Sequence, residues 1–190
     1  AVAGVGKDVA EANSKVQQSL IEIFRRTRQW RIVLNSLKSQ HLLFMLRRLG
    51  YKPVFVGMRI VPPSQWDKYL GMTLDTRLRW REHVKTKVKH LKLKQRKMFW
   101  LLSDFSKLSL DNKILLYKTI LRPVWSYGCQ LWGCAADSNI QLVQTFQNMV
   151  LRQIAGAPWY IRNKDIHADL GMQPVRDYVM ELTERYEHRL

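Results

Sequence analysis

Hydrophobic positions recur at helical spacing from about Asp8 to Arg28, where Val9, Val16, Leu20, Ile23 and Phe24 fall near one face. That spacing predicts a helix. Asp8 and Glu11 at its start and Arg25, Arg26 and Arg28 at its end suit the helix dipole. The pattern then changes to strand-like runs. Trp30 to Leu34 and Leu42 to Leu46 read as strands, joined by a turn at Asn35-Ser36-Leu37-Lys38-Ser39. Val54 to Val56 and Met58 to Val61 read as a hairpin about Gly57. Pro62-Pro63 ends it, because proline cannot donate to a strand ladder. Tyr69 to Leu74 reads as a further strand, with Gly71 marking a bulge or a close backbone approach.

After this strand the period becomes helical. Val84, Val88, Leu91, Met98 and Leu102 make one face of a helix from about Trp80 to Leu102. Ser109 is placed to cap a helix running through about Leu121, which Arg122-Pro123 kinks or interrupts. The aromatic stretch from Val124 to Gly133 reads as a continuing buried helix, packed tightly at its glycines. Ser138 and Gln141 have capping-box spacing. Ile140, Val143, Phe146, Val150, Leu151 and Ile154 form the face of the helix that follows, and Gly156-Ala157-Pro158 stops it. Pro174 suits the first position of a terminal helix carrying Val175, Tyr178, Val179, Leu182 and Tyr186. The fold class predicted is therefore α+β, mainly helical, with a small antiparallel sheet followed by a helix bundle.

Charge changes this picture more than composition does. The chain of 190 residues allows one ordinary core or two small ones, and its apolar and charged fractions are those of a folded protein. Its net charge of +17 favours a polyanionic partner, nucleic acid first and an anionic membrane surface second. No apolar run approaches the roughly 18 residues of a spanning helix. The excess is concentrated. Arg77, Arg79, Arg81, Lys85, Lys87, Lys89, Lys92, Lys94, Arg96 and Lys97 face a single acid, Glu82, within one segment. A solvated helix face normally interleaves signs to gain pairs one turn apart. Like charges at this density call for an external anion, and phosphate fits.

Other chemistry finds less support. Cys129 and Cys134 lack a second ligand pair for zinc and read as small buried thiols; two cysteines also fit a reducing compartment. Asp67 and Asp75 fall at the two ends of one strand, too far apart to share a magnesium ion. Trp80, Trp100, Trp125, Trp132 and Trp159 read as bundle core, with base-stacking platforms as the alternative.

Four blocks carry a resemblance. They are Trp30-Arg31-Ile32-Val33-Leu34-Asn35-x-x-Lys38-Ser39; Lys68-Tyr69-Leu70-Gly71-x-x-Leu74-Asp75-x-x-Leu78-x-Trp80-x-x-His83; Tyr117-Lys118-x-x-Leu121-Arg122-Pro123-Val124-x-x-Tyr127-Gly128-x-x-x-Trp132; and Leu151-Arg152-x-Ile154-x-x-Ala157-Pro158-Trp159-Tyr160. In this order and spacing the chain resembles the reverse transcriptase of non-LTR retrotransposons, most closely the jockey type of insects. The resemblance implies that residues 1–76 are the C-terminal part of a polymerase palm and residues 77–190 its thumb and post-thumb region. It implies an auxiliary acid role for Lys38 at the leaving pyrophosphate, and a primer-gripping role for Tyr69, Leu70 and Gly71. Arg77, Arg79, Arg81, Lys85, Lys87, Lys89, Lys92 and Lys94 would then hold the backbone of an RNA–DNA hybrid.

The partners so implied are an RNA template, a DNA primer and the upstream fingers and palm of the same polypeptide, in the nucleus and cytoplasm and without a membrane. The family's magnesium-binding Tyr-x-Asp-Asp turn is not in this sequence. The expectation is a C-terminal fragment that binds no cofactor itself, with Mg2+ required by the intact polymerase. The competing expectation is a non-catalytic basic nucleic-acid-binding module left from a degenerate element. A helical protein-interaction module would leave the concentrated charge unexplained.

Overall fold

The computed structural model describes residues 1–45 and 53–189. The chain divides into two compact units, Ala1–Leu78 and Arg79–Leu190.

The first unit begins with helix α1, Val9–Gln29, capped by the Asp8 carboxylate accepting from Glu11 N–H. Its C-terminus explains why Trp30 to Leu34 is not the strand that its composition predicts. Ile32 N–H donates to Thr27 C=O at 2.8 Å and Arg31 N–H to Arg28 C=O, while Arg31 takes a left-handed φ of 55°. These residues are spent closing the helix in a Schellman arrangement. Trp30, Ile32 and Val33 remain exposed. A 3₁₀ turn at Ser36–Lys38 follows, with the Asn35 side chain accepting from Leu37 and Lys38 N–H. The turn expected at Asn35–Ser39 is therefore present.

Strand β1 is only His41–Leu42, so the second predicted strand contracts, and Leu46 lies outside the described residues. Strands β2, Val54–Val56, and β3, Arg59–Val61, form the hairpin expected about Gly57, whose φ is 62°. Gly57 also has a packing reason: a β-carbon there would come within 2.9 Å of the Phe24 ring of α1. Strand β4, Pro63–Ser64, pairs in parallel with β1, so the proline pair ends β3 without ending all sheet pairing. Strands β5, Trp66–Tyr69, and β6, Met72–Asp75, make a second hairpin. Among the described residues the strands form three two-stranded sheets, two antiparallel and one parallel, in a mainly helical chain, as the α+β class predicted. One open edge is managed by a side chain. Gln17 of α1 donates to Phe55 C=O at 3.0 Å and accepts from Phe55 N–H at 2.8 Å.

The second unit is helical and closes on a core. Helix α2 spans Arg81–Lys97 and α3 Phe99–Leu102, so the long helix predicted here breaks at Met98. Helix α4, Leu110–Leu116, starts at Ser109 as expected, with its hydroxyl accepting from Asn112 N–H. It runs into a π-helical turn, Tyr117–Leu121, and then α5, Arg122–Ser126. The wider turn lies directly before Pro123, which cannot supply the usual N–H to the previous turn. Gly128, at φ 67°, then ends the run, and α6 is a separate turn at Cys129–Trp132. The continuous helix expected from Val124 to Gly133 is thus split. The tight packing expected at its glycines holds at Gly133, where a β-carbon would meet Val179 Cγ1 at 2.5 Å.

Helix α7, Asp137–Ala155, is the axis of this unit, and all six of its predicted core residues are buried. Its first turn starts after Ala136, with Ser138 already helical, so the expected capping box is not formed. Gly156 closes it in the left-handed region at φ 59°. Helix α8, Asn163–Asp169, has no counterpart in the sequence expectations. Pro174 stands one residue before α9, Val175–Glu187, as its N-cap. Polar side chains of α7 complete the joints: Gln144 accepts from Val175 N–H at 2.7 Å, and Gln147 donates to Gln173 C=O at 3.1 Å. Buried His167 of α8 sits 2.8 Å from Asn148 Oδ1 and 2.9 Å from Met172 C=O. Paired in this way, buried polar atoms do not penalise the core.

Candidate nucleic-acid interface

In the first unit the β5–β6 hairpin turns through Leu70 and Gly71, at φ 48° and 76°. Two positive φ values are what a two-residue type I′ turn needs, and they match the twist of the strands. Tyr69 to Leu74 is therefore not one strand with a bulge: Tyr69 ends β5 and faces Met72 across the turn. Glycine takes its position freely, whereas Leu70 adopts the left-handed region at a cost of roughly 1–2 kcal/mol. Met72 and Thr73 are buried, while Tyr69 and Leu70 project into solvent at 45% and 66% exposure. The hairpin offers an apolar tip held by a rigid turn. Lys38 lies at the end of its own 3₁₀ turn, which packs against β3, and its side chain is exposed. Arg77 is also exposed.

In the second unit α2 is fixed by its start. Trp80 caps it at a left-handed φ of 62°, is 4% exposed, and meets His83 edge to face at 5.8 Å. Asn139 of α7 donates to Arg79 C=O at 3.2 Å. With His83, Val84, Leu91 and Gln95 turned inward, the helix has a defined outer side. Arg81, Lys85, Lys89, Lys92 and Arg96 are all exposed and stand four, four, three and four residues apart. That spacing puts them on one stripe about 22 Å long at 1.5 Å per residue. Lys85, Lys89, Lys92 and Arg96 border a shallow trough floored by Val88, Leu93 and Leu142 of α7. Glu82 sits 3.8 Å from Lys85, an exposed pair of small energetic weight.

Lys87 and Lys94 are half-buried on another flank of α2, beside His90 and Tyr127. Lys87 lies over the Tyr127 ring at 5.1 Å, and burial lowers its pKa. The ten cations of the segment thus serve more than one surface. Arg96 is the stripe member absent from the residues named by resemblance; helical spacing from Arg81 alone finds it.

Four curated proteins match the chain. It is 42% identical over 180 residues to the "Probable RNA-directed DNA polymerase from transposon X-element" of Drosophila melanogaster, covering 95% of this chain and 20% of that protein. It is 33% identical over 190 residues, all of this chain and 21% of the relative, to the "RNA-directed DNA polymerase from mobile element jockey" of the same species. The jockey protein of Drosophila funebris is 32% identical over 96% of this chain and 20% of its own length. Over nearly its whole length the chain is therefore similar to RNA-directed DNA polymerases of jockey-like transposons. It spans about a fifth of the length of the curated relatives it matches. No protein-family model and no solved structure matches it.

Several candidate residues of this jockey-like segment stand differently from their sequence expectations. Asp67 faces Leu74 and Asp75 faces Trp66, so the two carboxylates lie on facing strands and not at the ends of one strand. Alternation sends them to opposite faces of the hairpin. Among the described residues no group of three or more His, Cys, Asp or Glu side chains is placed to hold a metal ion. Cys129 is buried, as expected of a core thiol, but Cys134 is exposed. Trp80, Trp125 and Trp132 are core, whereas Trp100 and Trp159 are 70% and 88% exposed. The assignment of all five tryptophans to the core fails for these two. Among the described residues no helix is long and apolar enough to cross a membrane.

Proposed function

We propose that this segment holds the primer–template duplex of a jockey-like reverse transcriptase while nucleotidyl transfer occurs at aspartates outside this sequence. The exposed stripe from Arg81 to Arg96 carries the reading. It supplies cations at regular spacing along one helix face, which suits contact with a regularly repeating phosphate backbone. In this reading residues 77–190 act as thumb and post-thumb, and residues 1–76 contribute the end of the palm. The Tyr69-Leu70-Gly71 tip presses on the primer backbone, Arg77 and Arg79 add phosphate contacts, and exposed Lys38 neutralises the leaving pyrophosphate. Lys87 and Lys94 contribute from the flank of α2. Mg2+ belongs to the intact polymerase, where it would polarise the phosphoryl group.

The test is binding of the purified chain to short RNA–DNA hybrids of two unrelated sequences. Affinities should agree within about threefold and fall about 100- to 1,000-fold between about 50 and 200 mM salt. A strong preference for one sequence, or binding indifferent to salt, overturns the proposal.

A further inference from the structure

The loop after α7 carries an aromatic pair that duplex holding does not use. Trp159 and Tyr160 are 88% and 65% exposed, and their rings meet edge to face at 6.0 Å. Single exposed aromatics need no explanation. These two stand on a loop that is tied down on both sides. Arg152 of α7 donates to Pro158 C=O before the pair, to Ile161 C=O at 2.6 Å after it, and to Asn163 Oδ1 at 2.9 Å. Ala157 N–H also donates back to Arg152 C=O at 3.1 Å. A guanidinium spent on main-chain carbonyls flanking two solvent-facing rings fixes their backbone before any ligand arrives, which lowers the ordering cost of binding.

The surroundings indicate what the rings meet. Arg162 and Lys164 follow on the same loop and on the start of α8, both exposed. Gly156 packs against Asp104, and the next residue, Phe105, is 90% exposed. Asp104 and Asp165 lie among these cations, so the site is not a strongly cationic patch in its own right. Ring faces interleaved with a few cations suit bases with free π-faces. Bases within a duplex have both faces occupied by stacking; unpaired bases stack only partly and can turn a face to a protein ring.

We propose that Trp159 and Tyr160 form a stacking site for unpaired bases of single-stranded nucleic acid, distinct from the cationic stripe of α2. The test uses the full chain with fluorescent oligo-rU, oligo-dT and a short RNA–DNA hybrid, read by anisotropy at fixed salt. W159A/Y160A should weaken single-strand binding about 10- to 100-fold and leave hybrid binding within about twofold. W159F/Y160F should retain most of the single-strand affinity. The salt slope should not change, since stacking releases no counterions. Comparison of oligo-rU with oligo-dT separates RNA from DNA as the preferred strand, and either preference supports the site. An unchanged single-strand affinity in W159A/Y160A overturns it. Equal losses for single strand and hybrid also overturn it. A melting temperature matching the parent keeps misfolding out of the comparison.

Discussion

The two units build from the same residue types but reach different degrees of closure. Among the described residues, 21 buried hydrophobic side chains lie in Arg79–Leu190 and four in Ala1–Leu78. In the second unit α7 is surrounded, and Phe146, Val150 and Leu151 are at most 2% exposed. In the first, the apolar face of α1 is only half-buried, and the one buried residue of that helix is Asn13. Among the described residues, three two-stranded sheets give the helix little to cover it. Two-stranded hairpins are marginal alone in water, so this unit depends on side-chain clamps such as Gln17 on Phe55. The lesson is that periodicity reports which face is apolar, while closure depends on whether a partner surface exists to meet it.

The strongest way to break this comparison is to empty one site in each unit. Trp132→Ala should destabilise the second unit by about 3–5 kcal/mol in urea unfolding. Val54→Ala in the first unit should cost about 1–2 kcal/mol. The reverse order would contradict the contrast. Gly133→Ala comes next. Its new methyl meets Val179 and the Cys129 carbonyl, so the α6–α9 contact must open, at about 1–3 kcal/mol by the same measurement.

The pH response sharpens the contrast through His83. Burial, aided by the Lys87 charge, lowers its pKa from 6.5 to about 4. The folded value lies below the unfolded one, so the unfolded chain takes up the proton first as pH falls. The stability that His83 supports is complete above about 6.5 and is lost progressively toward about 4. On this account the second unit loses about 2 kcal/mol between pH 7 and pH 5 and should melt about 5–8 °C lower at pH 5. His83→Gln should shrink that difference, and an unchanged difference would reject the assignment. The smallest effect is Gln17→Ala, about 0.5–1.5 kcal/mol. It should be visible as faster hydrogen exchange at Phe55 without change in the second unit.

What was legible follows the same physics. The α7 face was readable because six apolar residues at helical spacing all found partners. The Gly57 hairpin was readable because a turn residue stood between two β-branched runs. Trp30 to Leu34 misled because β-branched composition does not reveal that Arg31 is needed to close α1. Tyr69 to Leu74 misled because Leu70 accepts a left-handed φ that sequence reserves for glycine or asparagine. Helix α8 was hidden because it is short and polar, and its burial rests on Ile166 and His167. At the candidate interface, the density of cations was plain in the sequence. Their division between the stripe and the Lys87–Lys94 flank required the direction in which α2 faces its core.

The central claim is that the α2 stripe, and not diffuse positive charge, holds the duplex. The direct measurement is the salt slope of RNA–DNA hybrid binding for K85Q/K89Q/K92Q against R25Q/K107Q/R189Q, a control removing three exposed charges elsewhere. The stripe variant should lose about 2–3 units of log–log slope, and the control less than about one. Equal losses in the two variants would contradict the account.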